Sequence, residues 1–210
     1  MLCWDDGKSM NKDGKNLLAV SYKLEQNYLA PVAGVDEAGR GPLVGPVVAA
    51  AVIIDQTKII YGIKDSKKLS RNKREILYKQ ITGNYLWSVG IVHQDEIDLI
   101  NILEATKKAC YIAVENLSIK PNIILVDGNM KFNDPRFISI INGDNLSISI
   151  SAASIIAKVT RDWILFEYAK EFPQYNWQKN CGYGTKEHLE AIKLHGLSPY
   201  HRQSFKIKNL

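Results

Sequence analysis

The run VVAAAVII, Val47 to Ile54, is the tightest constraint on what this chain can fold into. Small and β-branched apolar residues occupy both of its faces, so it belongs inside a sheet that is covered on both sides. VAGVD, Val32 to Asp36, reads as a neighbouring strand joined to it by a glycine-rich link. YLWSVGIVH, NIILVDG after Pro121, and RFISIIN have strand character as well. Helical patterns stand between and after them. Ser70 is placed to cap a helix whose apolar residues Ile76, Leu77 and Ile81 share a face. DEIDLINILEATKKACYIAVENL gives one or two helices, with Ala105, Ala109, Ile112 and Ala113 at helical spacing. SAASIIAKVTRDWILFEYAKEF gives a long helix with Ile155, Ile156, Val159 and Trp163 inward, and TKEHLEAIKLHG a short one closed by Gly196. This order predicts an α/β domain with a mixed central β-sheet flanked by helices and a small C-terminal helical part. Sites in such folds form where strand ends meet loops.

A chain of 210 residues suits one domain of this kind. We read residues 1–28 as an N-terminal extension, loose over a start rich in Lys, Asn, Asp and Gly, and residues 29–210 as the domain proper. The opening stretch is polar and acidic, where a signal peptide carries a basic start and an apolar run. The longest apolar run, Val44 to Ile54, is broken by Pro46 and too short to span a bilayer. Cys3, Cys110 and Cys181 are an odd set without paired spacing, which argues against a disulfide framework or a thiolate zinc site. We therefore expect a cytoplasmic protein with no membrane attachment. A net charge of +5 and a pI near 9.0 make a polyanion a reasonable partner.

The link between the first two strands holds the chemistry. Gly39, Gly41 and Gly45 are spaced G-x-G-x-x-x-G and lead into a strand, whereas a dinucleotide fingerprint needs closer spacing and a helix. Gly34 and Gly39 have phosphate-loop spacing, yet Arg40-Gly41 stands where that loop requires Lys followed by Ser or Thr. A tight hairpin with two solvated acids is the simplest alternative for Asp36 and Glu37. Against it stands IILVDG, a second apolar strand that runs straight into a carboxylate, Asp127. Three acids at the ends of two buried strands repel one another unless a cation sits among them. Oxygen ligands without imidazole or thiolate favour Mg²⁺ or Mn²⁺, and such a cluster is what two-metal phosphodiester hydrolysis uses. His188 and His195, seven apart on one helix, lack the spacing and the third ligand of a zinc site.

AGVDEAGRGPLVGPVVAAAVI, DSKKLS, LVDGN, GD, SAASIIAKVTRD, GYGTKEH and HRQSF occur in that order between Leu29 and Phe205. Together they resemble bacterial ribonuclease HII, the type 2 ribonuclease H. The resemblance implies a ribonuclease H-like fold in residues 29–210 and a four-carboxylate site for Mn²⁺ or Mg²⁺ made by Asp36, Glu37, Asp127 and Asp144. Asp162 competes for the fourth place, although Lys158, one helical turn earlier, can pair with it. By the same resemblance, Gly39, Arg40 and Gly41 read the ribose, and Tyr183 packs against the sugar at an RNA to DNA junction. Lys67 and Lys68 suit phosphate, as do Ser151, Ser154 and Lys158 at what reads as the start of the long helix. Trp87, Trp163 and Trp177 read as packing residues.

The resemblance implies an endoribonuclease that hydrolyses the RNA strand of RNA–DNA hybrids and nicks duplex DNA 5′ of an embedded ribonucleotide. Its expected state is a monomer. The rivals are a DNA nuclease or resolvase on a similar fold and a non-catalytic hybrid-binding module. Two departures from the family pattern, Asn180-Cys181 for a usual His-Lys pair and Asn142 for a frequent basic residue, bear on affinity for phosphate rather than on chemistry.

Overall fold

The computed structural model describes residues 20–207. Five strands form one mixed sheet: β1 Val32–Ala38, β2 Val47–Ile53, β3 Leu86–Val92, β4 Ile123–Asp127 and β5 Phe137–Ile140. Their order is β3-β2-β1-β4-β5, antiparallel from β3 to β1 and parallel from β1 to β5. β2 is next to the centre, as its apolar faces require. Val47, Ala49 and Ala51 point to one layer of the core, and Ala50 and Val52 to the other.

Two long helices cover these faces. α2 spans Gln94–Glu115 and α4 spans Ile148–Glu171, with α1 Arg71–Asn84 and the short α3 Gly143–Leu146 beside α4. The question of one helix or two in α2 resolves as two helical segments joined at a kink, Asn101, whose φ of 67° and ψ of 163° are non-helical. The Asn101 side-chain oxygen accepts from the N–H groups of Leu103 and Glu104 and restarts the helix. α4 begins at Ile148, one turn earlier than its sequence suggests, because Ser147 accepts from the Ile150 N–H as its cap. It crosses β1 at Gly34, where an added Cβ would stand 2.2 Å from backbone atoms of Ser149 and Ile150.

Some inward assignments are corrected. Ile76 is exposed while Leu77 and Ile81 are buried, because at roughly 100° per residue Ile76 cannot share their face. Trp163 is also largely exposed; its ring meets Tyr78 of α1 edge-on at 4.8 Å instead of entering the core. Trp87 lies at the same surface, and only Trp177 of the three is fully buried.

The boundary drawn at residue 29 also moves. Glu25, in a 3₁₀ turn at Glu25–Asn27, is buried, and its Oε1 accepts from the Ser147 hydroxyl at 2.6 Å, the Ser149 hydroxyl at 2.6 Å and the Ser149 N–H at 3.0 Å. Residues 20–28 thus belong to the fold and hold the N-terminus of α4. The looseness expected of the chain's start falls on residues 1–19, outside the described part.

The C-terminal part contains α5 Trp177–Asn180 and α6 Lys186–His195. Trp177 Nε1 donates to His188 Nε2 at 3.0 Å, and His201 Nε2 approaches the same atom at 3.2 Å. Tyr183 O and the Ser198 N–H take the two Nδ1 atoms. Both rings are therefore neutral structural groups, and His195 stays exposed. Burial, and then the neighbouring His188, push the His201 pKa down to about 4.

Two outcomes follow from this packing. Gly34→Ala should destabilise the protein by about 3 kcal/mol or more, because neither backbone can retreat; a urea unfolding curve that matches wild type would contradict the contact. For His201 the folded-state pKa lies below the unfolded value, so the stability it contributes is complete above pH ~6.5 and lost as pH falls toward 4. His201→Gln should melt about 5 °C lower at pH 7 and change less than wild type across that window.

Candidate active site

Parallel pairing of β1 with β4 sets Val35 opposite Val126, so the next residues in line, Asp36 and Asp127, stand in adjacent register, Asp36 within β1 opposite Ala50 of β2 and Asp127 at the end of β4. β5 pairs with β4 as far as Asp127 opposite Ile140, and the chain then turns into α3. Asn142 makes that turn in the left-handed conformation, φ 56°. The Gly143 N–H then donates to Asp127 Oδ1 at 2.7 Å, and the Asp144 N–H to the same atom at 3.4 Å. The position where a basic residue was expected is thus a backbone turn that asparagine suits. Asp162 lies apart from this arrangement, paired with Lys158 Nζ at 2.7 Å.

Burial makes Asp36, Glu37 and Asp144 hard to ionise. Asp36 is pushed well above the usual carboxylate range by burial, then by Glu37 and Asp127. Glu37 is raised by burial, against the opposing pull of Arg40, whose Nη1 lies 3.4 Å from its Oε1. Asp144 is raised by burial and by Asp127. Burial works against the Lys67 ammonium, yet Asp36, Asp65, Asp144 and Asp127 together hold its pKa above the ordinary value. Glu37 Oε2 is buried without any partner. Among the described residues no three acidic, histidine or cysteine side chains converge on one point. Each of the four acids instead turns an oxygen to a nearby N–H or side chain.

A cleft of about 200 Å³ opens beside the acids. Asp36, Glu37, Gly39, Arg40, Gly41, Lys67, Lys158 and Tyr183 all line it, so the structure unites side chains that are far apart in the chain. Tyr183 is half exposed, and its ring lies where a Cβ on Gly41 would meet it at 3.7 Å. Lys67 and Lys68 sit on a 3₁₀ turn, Ser66–Lys68, capped by Asp65. Lys68 Nζ reaches Asn145 Oδ1, so it lies near α3.

The serines part company. Ser151 is fully buried, donates to the Asp144 carbonyl and lies a turn inside α4, outside the cleft lining. Ser154 lines the cleft, and its hydroxyl donates to Ser66 Oγ at 2.8 Å, which ties α4 to the lysine turn. Asn180 is buried too, and bonds Tyr175 O and the Gly182 N–H. The departure at Asn180-Cys181 therefore falls partly on a residue that shapes the Tyr183 loop. Sequence reasoning missed Arg161 and Arg202, two buried arginines that bond backbone carbonyls around the glycine-rich loop. A charged residue inside an apolar helical pattern, as at Arg161 in IIAKVTRDWIL, was the available signal.

Known proteins share this fold and this sequence. A family model described as ribonuclease HII matches residues 33–208. The ribonuclease HII of Rickettsia prowazekii is 73% identical over 191 residues, which cover 91% of this chain and 97% of that one. The ribonuclease H2 of Pyrococcus horikoshii aligns in structure with a TM-score of 0.68 and 33% identity, over 83% of this chain and 93% of that one. The ribonuclease HII of Archaeoglobus fulgidus, solved in complex with PCNA, aligns with a TM-score of 0.69 and 28% identity, over 85% and 96% of the two chains. No helix among the described residues is long and apolar enough to cross a membrane. Motifs, fold and relatives lead to one assignment: the chain belongs to the ribonuclease HII family and is an endoribonuclease of the ribonuclease H type.

Proposed function

We propose that this endoribonuclease, which acts on the RNA strand of RNA–DNA hybrids, also nicks duplex DNA on the 5′ side of an embedded ribonucleotide, with two divalent cations, Mn²⁺ or Mg²⁺, at Asp36, Glu37, Asp127 and Asp144. The observation that carries this reading is the coincidence, in one cleft, of buried like-charged acids and an exposed glycine-rich backbone.

The residues fit such cations. Glu37 Oε2 is a buried oxygen with no partner, and Asp36, Glu37 and Asp144 all hold protons more tightly than usual. A set of carboxylate oxygens without imidazole or thiolate is matched to hard divalent ions. Bound there, the cations supply the acidity that makes water a nucleophile at neutral pH and stabilise charge on the leaving oxygen, which gives 3′-hydroxyl and 5′-phosphate ends.

The protein's own groups bind and orient. Lys67 stands in the field of the acids and can offer its charge to the phosphate they face. Arg40, exposed beyond its contact with Glu37, can reach the adjacent phosphate. Gly39 and Gly41 let the backbone approach a 2′-hydroxyl, the group DNA lacks. Tyr183, against Gly41, gives the sugar a flat apolar wall. Lys158 adds a basic side chain to the cleft lining, and Lys68, next to Lys67, offers a second charge toward α3.

The test is cleavage of a labelled DNA duplex with one ribonucleotide, beside all-DNA and full hybrid duplexes. We expect a nick 5′ of the ribonucleotide that chelator abolishes and that Asp36→Asn slows about a thousandfold. Equal cutting of the all-DNA duplex would point to a DNA nuclease, and tight binding without cutting to a binding module. Binding titrations over a range of salt give a second check. Lys67→Gln should weaken affinity for every duplex alike and lower the slope of log K against log salt by about one.

A further inference from the structure

Arg202 is almost wholly buried in the C-terminal segment, and its guanidinium bonds only backbone carbonyls. Nε donates to Gly45 O at 2.9 Å, Nη1 to Pro42 O at 2.9 Å and Arg40 O at 3.2 Å, and Nη2 to Gly39 O at 2.6 Å. One side chain thus gathers carbonyls from both ends of the glycine-rich loop. Its own N–H donates to Leu43 O at 2.8 Å, and the Leu43 N–H in turn to Gly182 O at 2.8 Å in the Tyr183 loop. Arg161 closes the base of the loop by donating to Val44 O, Pro46 O and Cys181 O.

The arrangement has a directional consequence. In a trans peptide the carbonyl of one residue and the N–H of the next point opposite ways. With the Gly39 and Arg40 carbonyls drawn to the guanidinium, the Arg40 and Gly41 N–H groups are turned from it, on the loop that lines the cleft. Neither N–H has a hydrogen-bond partner among the described residues. Gly39 must be glycine for this: its φ is +103°, and a Cβ there would stand 2.3 Å from Arg161 Nε.

Two buried guanidiniums are a costly way merely to close a loop, since each loses hydration and they repel one another. Apolar packing would close it more stably. A planar fork of five donors, however, can hold several carbonyls in one fixed orientation, which neither lysine nor an apolar plug can do.

We propose that Arg202 is the positioning residue of the ribose reader: by collecting the carbonyls of Gly39, Arg40, Pro42 and Gly45 it presents the Arg40 and Gly41 N–H groups to the sugar and so sets the preference for ribose over deoxyribose. This rests on the proposed reading of Gly39–Gly41 as the 2′-hydroxyl contact. The support of Arg202 continues outward to α2, where Asp98 accepts from the N–H groups of Gln203 and Ser204 at 2.9 and 3.0 Å.

The test is the ratio of affinities for a duplex with one ribonucleotide and the same duplex in all-DNA form, measured by fluorescence anisotropy with chelator present so that nothing is cut. Arg202→Lys should lower that ratio about tenfold while affinity for all-DNA stays within about twofold, because phosphate contacts carry the latter. Asp98→Ala, at a solvent-accessible site, should lower the ratio in the same direction by about threefold, and it decides the matter should Arg202→Lys fail to fold. Tyr175→Phe, which loses a bond to Gly196 O in the same C-terminal core, should melt lower and keep the ratio. A wild-type preference that survives intact in Arg202→Lys, or in Asp98→Ala if only that variant folds, would overturn the role of Arg202 alone. No preference in the wild type would remove the reading of the loop, and this proposal with it. An equal loss of ratio in Tyr175→Phe would reduce Arg202 to general stability and overturn the proposal.

Discussion

Like charges held close together on two parallel strands are the constraint that the rest of the structure answers. Asp36 in β1 and Asp127 at the end of β4 stand in adjacent register, Glu37 follows at once, and burial and their mutual repulsion raise the Asp36 pKa. Such an arrangement would open unless the backbone beneath it were rigid. α4 supplies much of that rigidity by crossing β1 at Gly34 with no room for a side chain. The N-terminus of α4 is in turn fixed by Ser147 and Glu25, and Ser151 in its first turns bonds the carbonyl of Asp144. One helix end therefore ties an N-terminal turn, a strand and the α3 turn that carries Asp144 into a single unit.

The opposite wall of the cleft is built on another principle. There the chain is glycine-rich; Leu43 and Val44 pack into the C-terminal core, but the backbone from Gly39 to Gly41 is held by outside donors. Arg161 arrives from α4 and Arg202 from the C-terminal segment, and both bond carbonyls rather than carboxylates. The C-terminal helices, with Trp177, His188 and His201 interlocked beneath them, are the base from which Arg202 and Tyr183 are presented. A part of the molecule that looks peripheral in sequence thus determines the form of the cleft's floor.

Much of this was legible beforehand. Period-two and period-3.6 patterns located the five strands and the main helices, and of the acids named by motif resemblance Asp144 meets Asp127 through its backbone N–H. The misreadings have physical causes. Ser151 was taken for a helix end because its segment begins with small polar residues, whereas the true cap is Ser147 and the helix is already formed at Ser151. Ile76 and Trp163 are apolar residues that the phase of their helices leaves outside. Residues 20–28 fall within the segment read as an extension, but Glu25 is held by two hydroxyls and an N–H, partners that lie 122 and 124 positions further along the chain.

The sequence by itself determined which elements form and which residue types could do metal-assisted chemistry, because both depend on periodicity and on local motifs. Only the tertiary structure decided which distant groups share the cleft: Lys67 from a turn, Tyr183 from a C-terminal loop, and the glycine backbone that Arg202 orients from more than a hundred residues away. The direction of a peptide N–H and the partner of a buried guanidinium are three-dimensional facts. They arise from long-range packing, and no local pattern in the chain encodes them.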